Sequence, residues 1–137
     1  MEKNLNYLIN KANILRKHVI EMVARQGKGY VQQGLGASDL FSVLFFDELR
    51  NINIVSNINR DRFFLSTAHN SALFHATMAE KGLINIDSLE DYCLDGSPLE
   101  INVSERLGPF VEATCGSLGQ GLSVAIGMAL SAKRRKL

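Results

Sequence analysis

Apolar residues recur at three- and four-residue steps through Leu5, Leu8, Ile9, Ala12, Leu15, Val19, Met22 and Val23. That spacing predicts a helix of about six turns over residues 3–26, with Lys11, Lys17, Glu21 and Arg25 outside the stripe. Gly27-Lys28-Gly29 ends it, and residues 30–36 then read as a glycine-rich loop. A second helix is expected from Ser38 or Asp39, either of which can cap it, carrying Leu40, Val43, Leu44, Phe46 and Leu49. The apolar width of residues 40–46 predicts cover on more than one side. Residues 51–59 are rich in asparagine and read as a loop. Arg62-Phe63-Phe64-Leu65-Ser66 is the best strand candidate, short and β-prone. A third helix opens at Asn70 or Ser71, runs through Leu73, Phe74, Thr77 and Met78, and stops at Gly82. Asp87 with Glu90 resembles a capping box, predicting a short helix to about Leu94. Residues 96–110 carry no regular signal. After Gly116-Ser117-Leu118-Gly119-Gln120-Gly121 a last helix runs to the chain end, basic where its dipole favours cations.

These elements are shared among 137 residues, enough for one domain with a real core. Fifteen Lys and Arg against fourteen Asp and Glu leave a net charge of +1, which gives no general reason to bind nucleic acid or an acidic membrane. No run is apolar enough to span a bilayer, and the first residues lack a signal-peptide pattern. Cys93 and Cys115 cannot form a disulfide framework or a four-ligand zinc site. A reducing, cytoplasmic setting is the expectation.

Two segments carry candidate chemistry. The glycines of 116–121 let backbone approach a ligand closely, and the helix that follows offers free N–H groups suited to a phosphate. A turn that only lets the helix pack against a neighbour fits the same spacing. His69 follows the strand candidate and precedes a helix, where open α/β sheets place ligand contacts. Its imidazole can donate to phosphate oxygens or move protons, although a hydrogen-bonded structural role is the commoner one for a single histidine. His18 and His75 lie inside helices and read as structural or exposed. The spacing of His69 and His75 is poor for one helical face, so a metal pair is rejected. Lys133-Arg134-Arg135-Lys136 reads as a solvated helix end, and Cys115 as a small buried thiol without a base.

Taken in order, these segments resemble the N-terminal part of transketolase, the thiamine diphosphate-dependent ketol-transfer family. The resemblance rests on the first helix ending in Gly27-Lys28-Gly29 and on Leu35-Gly36-Ala37-Ser38-Asp39-Leu40. It continues through Arg60-Asp61-Arg62-Phe63-Phe64-Leu65-Ser66 with His69, and Gly96-Ser97-Pro98-Leu99. Its strongest part is Val111-Glu112-Ala113-Thr114-Cys115-Gly116-Ser117-Leu118-Gly119-Gln120-Gly121-Leu122-Ser123. The implied fold is α/β: the N-terminal part of a thiamine diphosphate-binding domain over 1–137, predominantly helical with one or two short parallel strands. The implied activity moves a two-carbon ketol unit from a ketose to an aldose, with the cofactor as electron sink. By that similarity His69, Gly116, Ser117 and Leu118 line the cofactor site.

The departures are equally specific. Two family histidines that hold donor hydroxyls and assist proton transfer stand here as Tyr30 and Asn102, and Ala68 replaces the glycine before His69. Phenols titrate near pH 10 and amides not at all, so each offers a hydrogen bond rather than neutral-pH acid–base chemistry. The family's Gly-Asp-Gly motif and its metal asparagine, which hold the magnesium on the diphosphate, are absent from this sequence. Asp95 and Glu112 have no spacing suited to replace them. The expectation is a chain truncated before the metal motif. It would act only in a homo- or hetero-oligomer, with a partner supplying the metal site and pyrimidine domain and sugar phosphates as substrates. The alternatives are a non-catalytic remnant or interaction module, and a simple binder of phosphate ligands.

Overall fold

The computed structural model describes residues 4–136. Asn4 caps the first helix, accepting the Asn6 N–H at 2.9 Å, and Gly27 closes it in the left-handed region at φ 62°. This helix, α1 (Leu5–Gln26), buries Leu8, Ala12, Leu15, Val19, Met22 and Val23 as its spacing predicts. Leu5 and Ile9 belong to the same stripe yet stay exposed.

Helix α2 (Val31–Val43) begins well before Ser38, so the expected loop over 30–36 is helical and Tyr30 is its N-cap. Gly34 explains the difference. A Cβ there would lie 2.9 Å from a methyl of the fully buried Val19, so the glycine serves close packing of α2 on α1 rather than a turn. Ser38 and Asp39 do not cap: the Ser38 hydroxyl donates to the Gly34 carbonyl at 2.7 Å, and Asp39 pairs with Arg16 of α1. A π-type turn, Leu44–Glu48, ends α2. The broad apolar face divides: Phe41, Phe45 and Phe46 are buried, whereas Leu40 and Val43 face outward.

Helix α3 (Ser71–Glu80) is the central element, with every residue from Ser71 to Ala79 buried. Around it Phe41, Phe45, Phe63 and Phe74 form an aromatic cluster with ring centroids 4.8–6.3 Å apart. Next come a 3-10 turn, Ile86–Asp91, and a second, Glu105–Leu107. The first is capped by Asn85, which accepts the Asp87 N–H at 3.1 Å, so the capping box expected from Asp87 and Glu90 does not form. Residues 96–110 are otherwise irregular, as expected, and still contribute Leu99, Val103, Leu107 and Phe110 to the core.

The short parallel strands do not form among the described residues. Residues 61–67 form neither helix nor turn, but no strand ladder forms there either. The last helix, α4 (Gln120–Arg135), starts after Gly119 at φ 87° and ends in Lys133, Arg134 and Arg135. Gly121 is its one buried residue.

Candidate functional site

Segment 61–67 leads into a 3-10 turn, Ala68–Asn70, that opens α3. This turn presents His69 half-buried, with its ring edge-on to Tyr30 at 4.7 Å and 73° between planes. Beside it the Asn70 amide nitrogen donates to the Thr67 hydroxyl at 3.0 Å, while the buried Asn70 Oδ1 has no partner among the described residues.

The glycine-rich turn reaches the same place. The Gly121 N–H donates to the Ser66 hydroxyl at 3.2 Å, and a Cβ on Gly121 would lie 2.9 Å from the Ser66 Cα. Only glycine lets the first turn of α4 sit on Ser66 this closely. The N-terminal end of α4 therefore docks at Ser66, just upstream of His69. Gly116, Ser117 and Leu118 stand exposed before it, and a Cβ on Gly116 would meet nothing within 4 Å. The turn is held from behind, by the Gln120 N–H on the Ser117 carbonyl at 3.1 Å and the Leu122 N–H on the Gly119 carbonyl at 3.2 Å. Among the described residues, the N–H groups of Gly116, Ser117 and Leu118 donate to no backbone carbonyl. The donors, the open glycine backbone and the histidine fit an anionic diphosphate. Metal donors do not fit: no cluster of three His, Cys, Asp or Glu occurs among the described residues.

A buried network ties this region together, and the sequence patterns did not disclose it. The fully buried Tyr92 hydroxyl lies 3.2 Å from the Ser71 hydroxyl and directly under Gly29, where a Cβ would approach it to 2.7 Å. Burial pushes the Tyr92 phenol above the usual tyrosine range, so it remains a neutral hydrogen-bonding group. His75 packs edge-on against the Tyr92 ring at 5.8 Å, and its Nε2 lies 2.9 Å from the Glu100 carbonyl oxygen. Burial lowers the His75 pKa to about 4, partly opposed by that hydrogen bond and by the Glu100 charge. The neutral ring therefore donates to Glu100, two residues before Asn102. A tyrosine and a histidine on separate elements give no local spacing signal, which is why both escaped a reading by motif.

Asn102 itself is exposed in a second cleft of about 520 Å³, with Lys28, Cys93, Ser97, Glu100 and Arg106 among its walls. The structure thus brings His69 and Tyr30 into contact and sets the 116–118 turn beside the same segment, whereas Asn102 lines a cleft reached from Lys28. The remaining candidates are structural. His18 lies 3.1 Å from a Glu80 carboxylate oxygen, and Cys115 is buried. The buried Glu112 carboxylate is an ion-pair partner of Arg60 and of Arg62, the latter at 2.8 Å.

Residues 9–136 match the family model for the transketolase thiamine diphosphate-binding domain. The chain belongs to this family. A transketolase family protein of Sinorhizobium fredii is 36% identical over 129 residues, covering 93% of this chain and 46% of that protein. A Clostridium protein named as a subunit of 6-deoxy-6-sulfo-D-fructose transketolase is 32% identical over 125 residues, covering 90% and 46%. Among solved structures, transketolase from Campylobacter jejuni superposes with a TM-score of 0.85 at 29% identity, covering 98% of this chain and 21% of that one. The transketolase-family chain thus spans about half the length of the two relatives and about a fifth of the solved chain. No helix among its described residues is long and apolar enough to cross a membrane.

Proposed function

We propose that this chain forms the diphosphate-binding part of a transketolase-type enzyme, transferring two-carbon ketol units between sugar phosphates together with a partner polypeptide. The observation that carries this reading is the docking of the 116–121 turn on Ser66, which sets the α4 N-terminus beside the turn bearing His69. In it, the backbone N–H groups of Gly116, Ser117 and Leu118 and the His69 ring would hold the diphosphate by donating hydrogen bonds. Thiamine diphosphate, when bound, supplies the electron sink for breaking the ketose carbon–carbon bond. The Tyr30 ring packs edge-on against His69. Asn102, on the loop anchored by His75, offers its amide to a donor hydroxyl. Neither Tyr30 nor Asn102 moves a proton at neutral pH, so proton transfer falls to groups outside these two positions. The described residues hold no cluster of three metal donors, so magnesium would be held by residues outside this sequence.

Calorimetric titration with thiamine diphosphate and magnesium tests the reading, on the chain alone and with its partner. Binding that is lost in His69→Ala supports it, and absence of binding in both samples refutes it. The loss of both family histidines favours a second reading, a non-catalytic module of transketolase ancestry. That reading predicts a complex with a partner but no ketol transfer.

A further inference from the structure

Two lengths of chain build the candidate site, and they are tied to each other at both ends. The first arm runs from Arg60 to Ser66 and leads to His69; the second runs from Glu112 to Gly121 and carries the glycine-rich turn. At one end the Gly121 N–H donates to the Ser66 hydroxyl at 3.2 Å. At the other, the Glu112 carboxylate is shared by two arginines of the first arm. Its Oε2 accepts from the Arg62 guanidinium at 2.8 Å, and its Oε1 faces Arg60 as a charge partner without an aligned hydrogen bond. The Arg60 and Glu112 side chains are only 3% and 6% exposed. Arg60 is itself anchored, donating to the Val55 carbonyl at 3.4 Å and to the Asp61 carbonyl at 3.3 Å.

A buried ion pair is weak evidence for stability, since desolvation of both charges offsets their attraction. What it fixes is a distance. From residue 62 to residue 66 the first arm reaches at most about 14 Å, whereas from 112 to 121 the second can reach about 32 Å. The surplus must fold out between the ties. It does so at 116–119, where Gly119 turns at φ 87° and Gly116, Ser117 and Leu118 stand exposed. Thr114 makes a tie of another kind. Its hydroxyl donates to the Glu105 carboxylate at 3.0 Å, which holds the second arm to the segment bearing Asn102 and not to the arm bearing His69.

We infer that Glu112, through Arg60 and Arg62, is a positioning residue that sets how the 116–118 turn stands relative to His69. This rests on the diphosphate site proposed above. The rival account is that apolar packing of the buried Val111 and Cys115 sets the turn by itself, leaving the ion pairs to stability alone.

The test separates position from stability. Glu112→Gln leaves two guanidinium groups without their counter-charge and is expected to lower the urea midpoint. Arg60→Met/Glu112→Leu replaces the buried pair by apolar side chains and is expected to restore the midpoint. In that double variant NMR order parameters at 116–118 are expected to fall from about 0.85 to below about 0.6. Affinity for inorganic pyrophosphate, measured by calorimetry, is expected to fall at least about tenfold, because the turn then holds its binding geometry a tenth of the time or less. A folded double variant that keeps both the order parameters and the affinity overturns the inference, as does a turn already mobile in the unmodified chain. Should the double variant not fold, Arg62→Ala decides, since Arg62 is exposed and its loss strands no buried charge. A looser turn at an unchanged midpoint, tightened again in Arg62→Lys, supports the clamp; an unchanged turn overturns it. An unmodified chain that binds no pyrophosphate counts against the proposed function, and the order parameters then decide the clamp alone.

Discussion

Helix α1 of the α1–α2–α3 bundle and helix α4 on its flank are about equally apolar but stand in opposite environments. In the bundle Leu15 and Val19 are fully buried, and the Phe45 ring touches three other phenylalanines. On α4, Leu122, Ile126 and Leu130 recur at helical spacing yet are 63%, 52% and 57% exposed. An apolar stripe states what a helix needs against it, and only the bundle meets that need within the described residues. Contiguous exposed apolar surface of this kind marks an interaction site. The difference separates a self-sufficient core from a surface that awaits its cover.

The largest effect expected from that difference is in side-chain truncation. Phe45→Ala is expected to cost about 3–5 kcal/mol, since it removes a fully buried ring and leaves a cavity among Phe41, Phe63 and Phe74. Leu122→Ala in the isolated chain is expected to stay within about 0.5 kcal/mol. Urea unfolding followed by circular dichroism measures both. Comparable losses in the two variants would mean that α4 is already covered.

Next in size is a pH effect confined to the bundle. His75 has a folded-state pKa of about 4 against 6.5 for the free side chain, mainly because burial penalises its charged form. The unfolded chain binds the proton more readily, so this stability is fully present above about pH 6.5 and is lost as pH falls toward 4. The loss across that window is of order 3 kcal/mol. His75→Gln keeps a donor for the Glu100 carbonyl and is expected to flatten the dependence between pH 4 and 6.5. Glu80 and Glu100 leave that window largely untouched. Burial of Glu80 is outweighed by hydrogen bonds from Lys11 and His18, and Glu100 accepts from Ser104 and Arg106, so both titrate below their usual range. Denaturant midpoints of both proteins across this range decide the matter.

A smaller effect is expected from close packing. Gly34→Ala puts a methyl 2.9 Å from a Val19 methyl at the crossing of α1 and α2, where the fully buried valine has little room to give. The strain outweighs the gain in helix propensity, for a net loss of about 1–2 kcal/mol. A thermal midpoint equal to that of the unmodified chain would show that the two helices can part without cost.

Gly34 also shows where the sequence is readable. The period of α1 and the stop at Gly27 depend on neighbours three or four residues apart, so local pattern was sufficient. The start of α2 was not, because a glycine that serves a helix crossing looks identical to one that serves a turn until Val19 is seen opposite. Residues 62–66 are β-prone, but whether they pair depends on a second strand that local propensity cannot supply. In the candidate site, His69 and the 116–121 turn were legible because each lies at an element boundary. Tyr92, Ser71 and His75 were not, since they meet only through the packing of α3 against an irregular segment.

The finest test uses a glycine in α4. A Cβ at Gly127 meets nothing within 4 Å, in contrast to Gly34, and the position is helical and exposed. Gly127→Ala therefore removes backbone freedom from the unfolded chain without adding strain. It is expected to stabilise α4 by about 0.5–1 kcal/mol. Because α4 touches the rest of the fold mainly at Gly121, the gain should appear as slower hydrogen exchange along α4, with little change in the unfolding midpoint of the bundle. The same substitution at Gly34 moves the global midpoint downward instead. If Gly127→Ala shifts the global midpoint as strongly as Gly34→Ala does, α4 and the bundle unfold as one unit. The contrast between a closed core and an open flank then fails.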